Sequence, residues 1–534
     1  METGSEFDYV VVGAGSAGCA LAFRLTEDPR VRVALLEAGR EDTNPMIHMP
    51  RGFAKLLAGE VDVARFPVSG SPGPDAAWPR GEVLGGSSSI NGQVYMRGRP
   101  ADYDGLNIPG WGWNEVGAAF RAMECHALGP GGDRGTQGPL RISVHPDRSP
   151  ACDALIAAMV AQGAVESPDL NQEDGVAVGY QPRNVHRGRR QSAATAFLAP
   201  ARGRGNLAVL TRARARRVVF EDRRAAGVEY RDVSGAVQVV RARREVILCA
   251  GALMSPKLLM LSGVGPGMTL RGHGIEVRHD APEVGRNLCE QLSLMATYRL
   301  TQGSHNHRLR GVGLLKSVLQ YALFRTGPLS HAVFELSAQF AVQPGANRPE
   351  AIFQFVPASA QADKRTGAIV PDRAPGATLC AYVTRPRSRG FMSIVSADPD
   401  VPAQYDPRYL TDAADREAAI AMLRRLREFF GHPALAQYGF QEIVPGPAVA
   451  ADDGFIDWYL RNGTSSLHAI GTCRMGTDAS SVVDPCLRVR GVEGLRVADI
   501  SVLPEMVSTH TNAPAMMIGW RTGDLLRGQA ACGA

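Results

Sequence analysis

The sequence contains no run of 18 uninterrupted apolar residues, so no membrane-spanning helix is expected. Its nine cysteines form no Cys-x-x-Cys pair, which argues against a zinc knot, a dithiol redox centre or a disulfide framework. Cys19 and Cys249 fall inside apolar segments, and the set reads as buried free thiols in a reducing compartment. The twelve histidines are scattered. Only His305 and His307 sit close, with no Cys or acidic partner at ligand spacing, so no metal site is expected. Lysine is almost missing: Lys55, Lys257, Lys316 and Lys364 are the only ones among 58 basic residues. Acids nearly balance the bases, leaving a formal net charge of +5, and no nucleic-acid partner is expected. Arg212, Arg214, Arg216 and Arg217 alternate with small residues ahead of an apolar run, the pattern of a strand with one solvated basic face.

What is present begins at once. Residues 8–12 (Asp-Tyr-Val-Val-Val) run straight into Gly13-Ala14-Gly15-Ser16-Ala17-Gly18. A second apolar run, residues 31–36, ends at Glu37, about 20 residues on. This is a strand, a glycine turn, a helix and a strand capped by an acid. Gly13 permits the tight turn, Gly15 lets the backbone close on a pyrophosphate, and Gly18 lets helix pack on strand. The free N–H groups at the helix start favour phosphate, and Glu37 can accept from ribose hydroxyls, so dinucleotide binding is expected. The first strand begins by residue 7, leaving no room ahead of it for a signal peptide, and a cytoplasmic location is expected.

At 534 residues the chain is long enough for two large domains or three small ones. Residues 151–163 and 413–430 are apolar at helical spacing, the second with Asp412 as its N-cap. Residues 206–210, 215–220, 226–231 and 245–249 read as short strands. So do 352–356, 378–383 and 391–396, spaced as in an antiparallel sheet.

Four more segments carry information. Residues 80–92 (Arg-Gly-Glu-Val-Leu-Gly-Gly-Ser-Ser-Ser-Ile-Asn-Gly) set paired glycines ahead of three hydroxyls, a turn able to present N–H groups to a phosphate or a ring edge. Residues 251–265 (Gly-Ala-Leu-Met-Ser-Pro-Lys-Leu-Leu-Met-Leu-Ser-Gly-Val-Gly) lead into a helix that finishes at Gly263. Residues 468–476 (His-Ala-Ile-Gly-Thr-Cys-Arg-Met-Gly) follow late in the chain. Last, residues 494–504 run on to His510-Thr511-Asn512-Ala513-Pro514.

Together these resemble the glucose–methanol–choline (GMC) family of flavin oxidoreductases, in order and over nearly the whole chain. The 251–265 segment fits that family's second signature at every fixed position. The first signature departs once, with Glu82 where a basic residue is usual. The resemblance implies an α/β fold: a Rossmann-like FAD-binding domain with a second substrate domain of antiparallel sheet plus helices. The expected division gives residues 1–150, 190–300 and 464–534 to the first, and 151–189 and 301–463 to the second.

The same resemblance implies FAD rather than NAD. The pyrophosphate would lie on Gly13, Gly15, Ser16, Ala17 and Gly18, with the ribose on Glu37 beside Ala38 and the adenine near Ala215. Arg80, Leu84, Gly85, Gly86, Ser87, Asn91 and Gly92 of the first signature, and Ala250, Gly251 and Ser255 of the second, complete the expected cofactor site. Ala498 and Asp499 would approach the pyrophosphate or ribityl chain, and Thr511, Asn512 and Pro514 the isoalloxazine. Some relatives attach FAD through a histidine where Ile90 stands here, so noncovalent FAD is expected. The family usually has Asp-His where Glu290-Gln291 follow Cys289; the element reads as structural, its change bearing on packing more than on chemistry.

By the same resemblance His468 is the base and His510 orients the hydroxyl in oxidation of a small, activated primary alcohol to the aldehyde. Oxygen or another acceptor would take the electrons. Phe334, Glu335, Phe353 and Phe355 are candidates for the substrate pocket, with Glu335 able to meet a cationic group. The alternative is a non-redox, FAD-containing enzyme of the hydroxynitrile lyase type.

Overall fold

Every residue of Glu6–Val12 after the first is buried, as befits a strand covered on both faces by helices. In the computed structural model, which describes residues 6–59, 61–69, 77–343, 345–346, 348–362 and 369–531, it lies inside a seven-stranded sheet. Val33–Leu36 pairs with it in parallel on one side and Val237–Leu248 on the other. Leu207–Leu210 and Leu495–Val497 extend the parallel order outward. The hairpin of Arg214–Glu221 and Arg224–Arg231 then joins antiparallel at the Val237–Leu248 edge. The alternating arginines fall on that hairpin, where Arg217 pairs with Glu229 at 2.8 Å and Arg214 with Glu82 at 2.5 Å.

The glycine-turn helix, Ser16–Leu25, packs against the last one, Asn512–Leu526. That contact needs no side chain at Gly519, whose Cβ would stand 2.1 Å from the Ala17 carbonyl oxygen. Their first residues, Ser16 and Asn512, are hydrogen-bonded to each other, so both helices begin at the same end of the sheet.

A second sheet has eight strands, ordered Gln441–Val444, Leu292–Arg299, Gly376–Val383, Ala351–Val356, Leu336–Phe340, Ala177–Tyr180 and Val165–Glu166, with Thr464–Ser465 off the path. It is antiparallel except where Val165–Glu166 meets Ala177–Tyr180. Leu294, Ala296, Phe353, Phe355, Leu379 and Ala381 join one core with Pro150–Val160, Ala413–Phe430 and Asp453–Asn462. Asp412 caps Ala413–Phe430 as its sequence position predicts, accepting from the Ala414 N–H at 2.8 Å.

Three expectations differ from the structure. The strand expected over 245–249 reaches back to Val237, because the hairpin pairs along its polar first half. Phe391–Ser393 leaves the antiparallel sheet and pairs with Gln404–Asp406, since Met392, Ile394 and Tyr405 bury themselves in the core of the first sheet. Among the cysteines, Cys19, Cys125, Cys152, Cys249, Cys289, Cys380 and Cys473 are free, but Cys486 is disulfide-bonded, contrary to an all-thiol set. Cys532 lies outside the described residues. Among the described residues no helix is long and apolar enough to cross a membrane.

Candidate active site

The parallel strands of the first sheet stop at one line. Val12, Glu37, Cys249 and Asp499 sit just at or past four of their carboxyl ends, and all four line one cavity of about 1810 Å³. Ligands of open parallel sheets bind in that crevice. The opposite wall is the free face of the antiparallel sheet, where Ser293, Met295, Gln354, Thr378, Cys380 and Tyr382 alternate with the core residues of the same strands.

The cavity gathers helix N-termini. Gly15, Ser16 and Ala17 open one helix, Ala250 and Gly251 a second, Thr511 and Asn512 a third, and all of these line the wall. Ser16 Oγ donates to Asn512 Oδ1 at 2.8 Å, tying two of the three together. Asp499 Oδ2 accepts from the Gly251 N–H at 2.9 Å and from Ser255 Oγ at 2.5 Å. Glu37 accepts from the N–H groups of Ala14 at 2.9 Å and Gly39 at 2.8 Å. Burial pushes its carboxyl up to about 7, with those two donors pulling the other way.

Ala38, Arg80, Gly86, Ser87, Asn91, Gly92 and Ala215 also line the cavity. Gly18, Leu84, Gly85, Ser255, Ala498 and Pro514 stand behind it. A Cβ on Gly18 would lie 1.9 Å from the Gly13 carbonyl oxygen, so this glycine serves packing within the turn. Gly85 has φ of +87° and its N–H donates to the Ala14 carbonyl at 2.8 Å, joining the two glycine loops.

The fit to a dinucleotide can be tested on the glycines. A Cβ on Gly15 or Gly92 would meet nothing within 4 Å, and Gly15 has an ordinary φ of −81°. The protein itself does not require glycine at either place; open space for a ligand does. With three helix N-termini, this donor set and cradle suit the pyrophosphate of FAD. Glu82, standing where a basic residue is usual, has its charge met by Arg214.

His468 and His510 come together on the wall of the same cavity, ring centroids 5.0 Å apart and planes at 74°. Tyr382 stands edge-on to both, with its hydroxyl 3.4 Å from His510 Nε2. His468 Nδ1 lies 2.7 Å from Gln291 Oε1, and Gln291 Nε2 donates to the Thr384 carbonyl at 2.6 Å. That second bond fixes which way the amide faces, so the atom at the imidazole is an acceptor. Nδ1 therefore carries the hydrogen and Nε2 the lone pair. Glu290 Oε1 accepts from the N–H groups of His468 and Gln291, both at 2.9 Å. Burial, with His510 and Arg80 nearby, holds the His468 pKa well below the usual imidazole range, and burial lowers that of His510 to about 3.

Sequence reasoning missed Gln291, Tyr382 and Arg190. Gln291 is noticed only as a departure from a family pattern. Tyr382 has a signal in the two-residue alternation of Gly376–Val383, whose neighbour Ala381 is core. Arg190 lies in a short polar run with no periodic signal; its guanidinium donates to the Asn91 carbonyl at 2.7 Å and to the Ile47 carbonyl at 2.8 Å, bracing the glycine–serine loop.

The substrate-pocket candidates divide. Phe334 lines the cavity. Phe353 and Phe355 do not: they point to the opposite face of their strand and pack with Phe340, Phe430 and Phe440, while Gln354 and Val356 take the cavity side. A one-residue step along a strand changes face. Glu335 is likewise turned away and buried, 3.2 Å from His305 Nδ1 and 3.5 Å from Arg51. Burial alone would raise its pKa, but His305, His145 and Arg51 hold the carboxyl down at about 2. Its charge is already answered by these partners, and it does not line the cavity.

The GMC oxidoreductase family matches residues 7–293 and again 386–519. The alcohol dehydrogenase [acceptor] of Pseudomonas putida is 38% identical over 97% of this chain and 95% of its own length. An oxygen-dependent choline dehydrogenase of Brucella anthropi is 37% identical over 98% and 96%. Among solved structures, pyridoxine 4-oxidase from Mesorbium loti superposes with a TM-score of 0.87 at 31% identity, covering 98% of this chain and all of its own. The ordered motifs, the glycine cradle and these matches agree: the chain belongs to the GMC oxidoreductase family, FAD-dependent enzymes acting on CH–OH groups.

Proposed function

We propose that the protein oxidises a small, uncharged primary alcohol to its aldehyde, with His468 as base and His510 holding the hydroxyl. The observation that carries this reading is the Thr384–Gln291–His468 relay, which leaves a neutral imidazole with its lone pair on Nε2. The lowered pKa keeps that lone pair free at neutral pH, so the ring accepts the hydroxyl proton without first losing one. His510, also neutral, is placed to orient the oxygen, with the Tyr382 hydroxyl beside it. Bound FAD supplies the two-electron acceptor for the hydride leaving the alcohol carbon. It is held noncovalently, by the Gly13–Gly18 turn, Glu37, Asp499 and Asn512. Ile90, buried among Ile47, Leu56, Val63 and Val83, offers no atom for attachment.

The cavity wall narrows the alcohol. Phe334, Val333 and Leu329 are apolar, and Arg51 is the charged group beside them. Arg51 and Glu335 are paired with each other at 3.5 Å, so Glu335 offers no free carboxylate to a quaternary ammonium, which favours a neutral activated alcohol such as an aryl or furanic one. The test is an anaerobic visible spectrum of the holoprotein before and after a panel of primary alcohols. Bleaching by uncharged members, and not by choline, is the expected result; readmitted air then separates oxygen from other acceptors. A flavin spectrum that none of them changes would sink the proposal and favour non-redox chemistry.

The relay has its own signature. The His468 pKa lies well below the usual 6.5, so the acid limb of kcat/KM, where the base becomes protonated, falls below that value rather than around it. Gln291→Glu places a carboxylate at Nδ1, stabilises the imidazolium, and moves the limb toward higher pH. Gln291→Leu slows alcohol-dependent flavin reduction roughly tenfold, since the supporting shell no longer fixes the ring. A merely structural Gln291 would lower stability in both variants and leave the pH profile where it was.

A further inference from the structure

The Gly311–Phe324 helix is built inside out. Only Ser317 is buried, with Gly313 and Tyr321 half-buried along the same i, i+4 stripe, so the helix rests on the protein through this narrow seam. The face turned away carries Val312, Leu315, Val318, Leu319 and Leu323, of which Val312 is 70% and Leu323 71% exposed. Phe324 at its end is 70% exposed as well. A surface helix normally presents its polar side to water. Contiguous apolar exposure of this kind marks an interaction surface.

The charge around the helix is of one sign. Residues 301–334 contain no Asp or Glu, and Arg308, Lys316 and Arg325 border the apolar face. Arg187 and Arg189 add to them, because the Val185–Arg190 hairpin packs on the end of the helix: a Cβ on Gly188 would lie 2.0 Å from the Arg325 carbonyl oxygen. Among the described residues none of these five bases has an ion-pair partner, although arginines elsewhere in the chain are widely paired. Face-to-face pairing with a second copy would bring these like charges together and leave them unanswered.

We infer that this helix docks the protein on an anionic lipid surface, lying in the plane of the interface. Apolar side chains enter the acyl boundary while the flanking bases meet acidic headgroups, the arrangement of interfacial amphipathic helices. The surface is continuous with the site, since Leu309 and Leu314 also line the cavity. The docking stands apart from the alcohol chemistry, and its test does not use turnover.

Holoprotein is floated with vesicles of phosphatidylcholine alone and of phosphatidylcholine with phosphatidylglycerol. Binding to the anionic vesicles, weakened by salt, is the expected result. Leu315→Ser, Leu319→Ser and Leu323→Ser combined reduce the bound fraction about tenfold or more. Lys316→Gln with Arg325→Gln removes the preference for the anionic vesicles by a similar factor. Unchanged thermal melting shows that the variants are folded. No vesicle binding by the parent protein overturns the inference, as does binding that survives the triple substitution. Self-association in sedimentation velocity, abolished by the triple variant in a protein that ignores vesicles, would give the face to a second copy instead.

Discussion

His468→Ala retains its flavin and is reduced by the alcohol roughly 10²–10⁴ times more slowly than the parent protein, the usual scale for loss of a general base. The flavin stays because the cradle is built from other residues, the glycine turns, Glu37 and Asp499. The rate falls because, among the described residues, no nearby group replaces the lost lone pair. His510 has its Nε2 facing the Tyr382 hydroxyl at 3.4 Å, and Tyr382 is a buried phenol whose pKa is raised well above its ordinary value. Stopped-flow reduction of the anaerobic holoprotein reads the effect directly. Reduction at the parent rate would remove His468 from the role. The double variant His468→Ala/Gln291→Leu adds a sharper criterion: if Gln291 acts through the imidazole, it is no slower than His468→Ala alone. A further tenfold loss would mean that Gln291 touches the reaction by another route.

The nucleotide half of the site is legible in the sequence because its requirements are local. The turn at Gly13–Gly18, the acid at Glu37 and the paired glycines at 85–86 are each dictated by backbone geometry within a few residues. Hydrophobic periodicity finds the Ala413–Phe430 helix to the residue for the same reason. The histidine pair is legible only through a resemblance, since nothing local to His468 brings it 5.0 Å from His510. What stays hidden is decided by strand register and by contacts distant in sequence. Phe353 and Phe355 face the core only because Ala351–Val356 lies in one register of two between Leu336–Phe340 and Gly376–Val383. Glu335 looks like a free acid until His305 and Arg51 are folded onto it. Gln291 becomes meaningful only when a strand starting at Leu292 and a loop ending at His468 are set side by side, which no reading of Glu290-Gln291 alone supplies.

Two neighbouring glycines separate the needs of the fold from those of the cofactor. Gly18→Ala is expected to yield protein largely without flavin and with a lowered melting temperature. Its Cβ would stand 1.9 Å from the Gly13 carbonyl oxygen and 3.3 Å from Cys249 Cβ, both part of the strand–turn–helix junction. Gly13 cannot retreat, because it already holds φ of +103° with its own Cα facing the backbone at Cys249 and Ala250. The junction must open, and with it the three converging helix ends. Gly15→Ala is expected to melt like the parent apoprotein, since its Cβ meets nothing within 4 Å. It should nevertheless bind FAD roughly ten- to a hundredfold more weakly, the cost of about 1–3 kcal/mol for forcing a methyl group into a filled space. The ratio of flavin to protein absorbance, with melting of the apoproteins, checks both. Equal FAD affinity in Gly15→Ala and parent would show that the pyrophosphate does not lie on this turn, and would leave the cavity's glycines without the ligand that explains them.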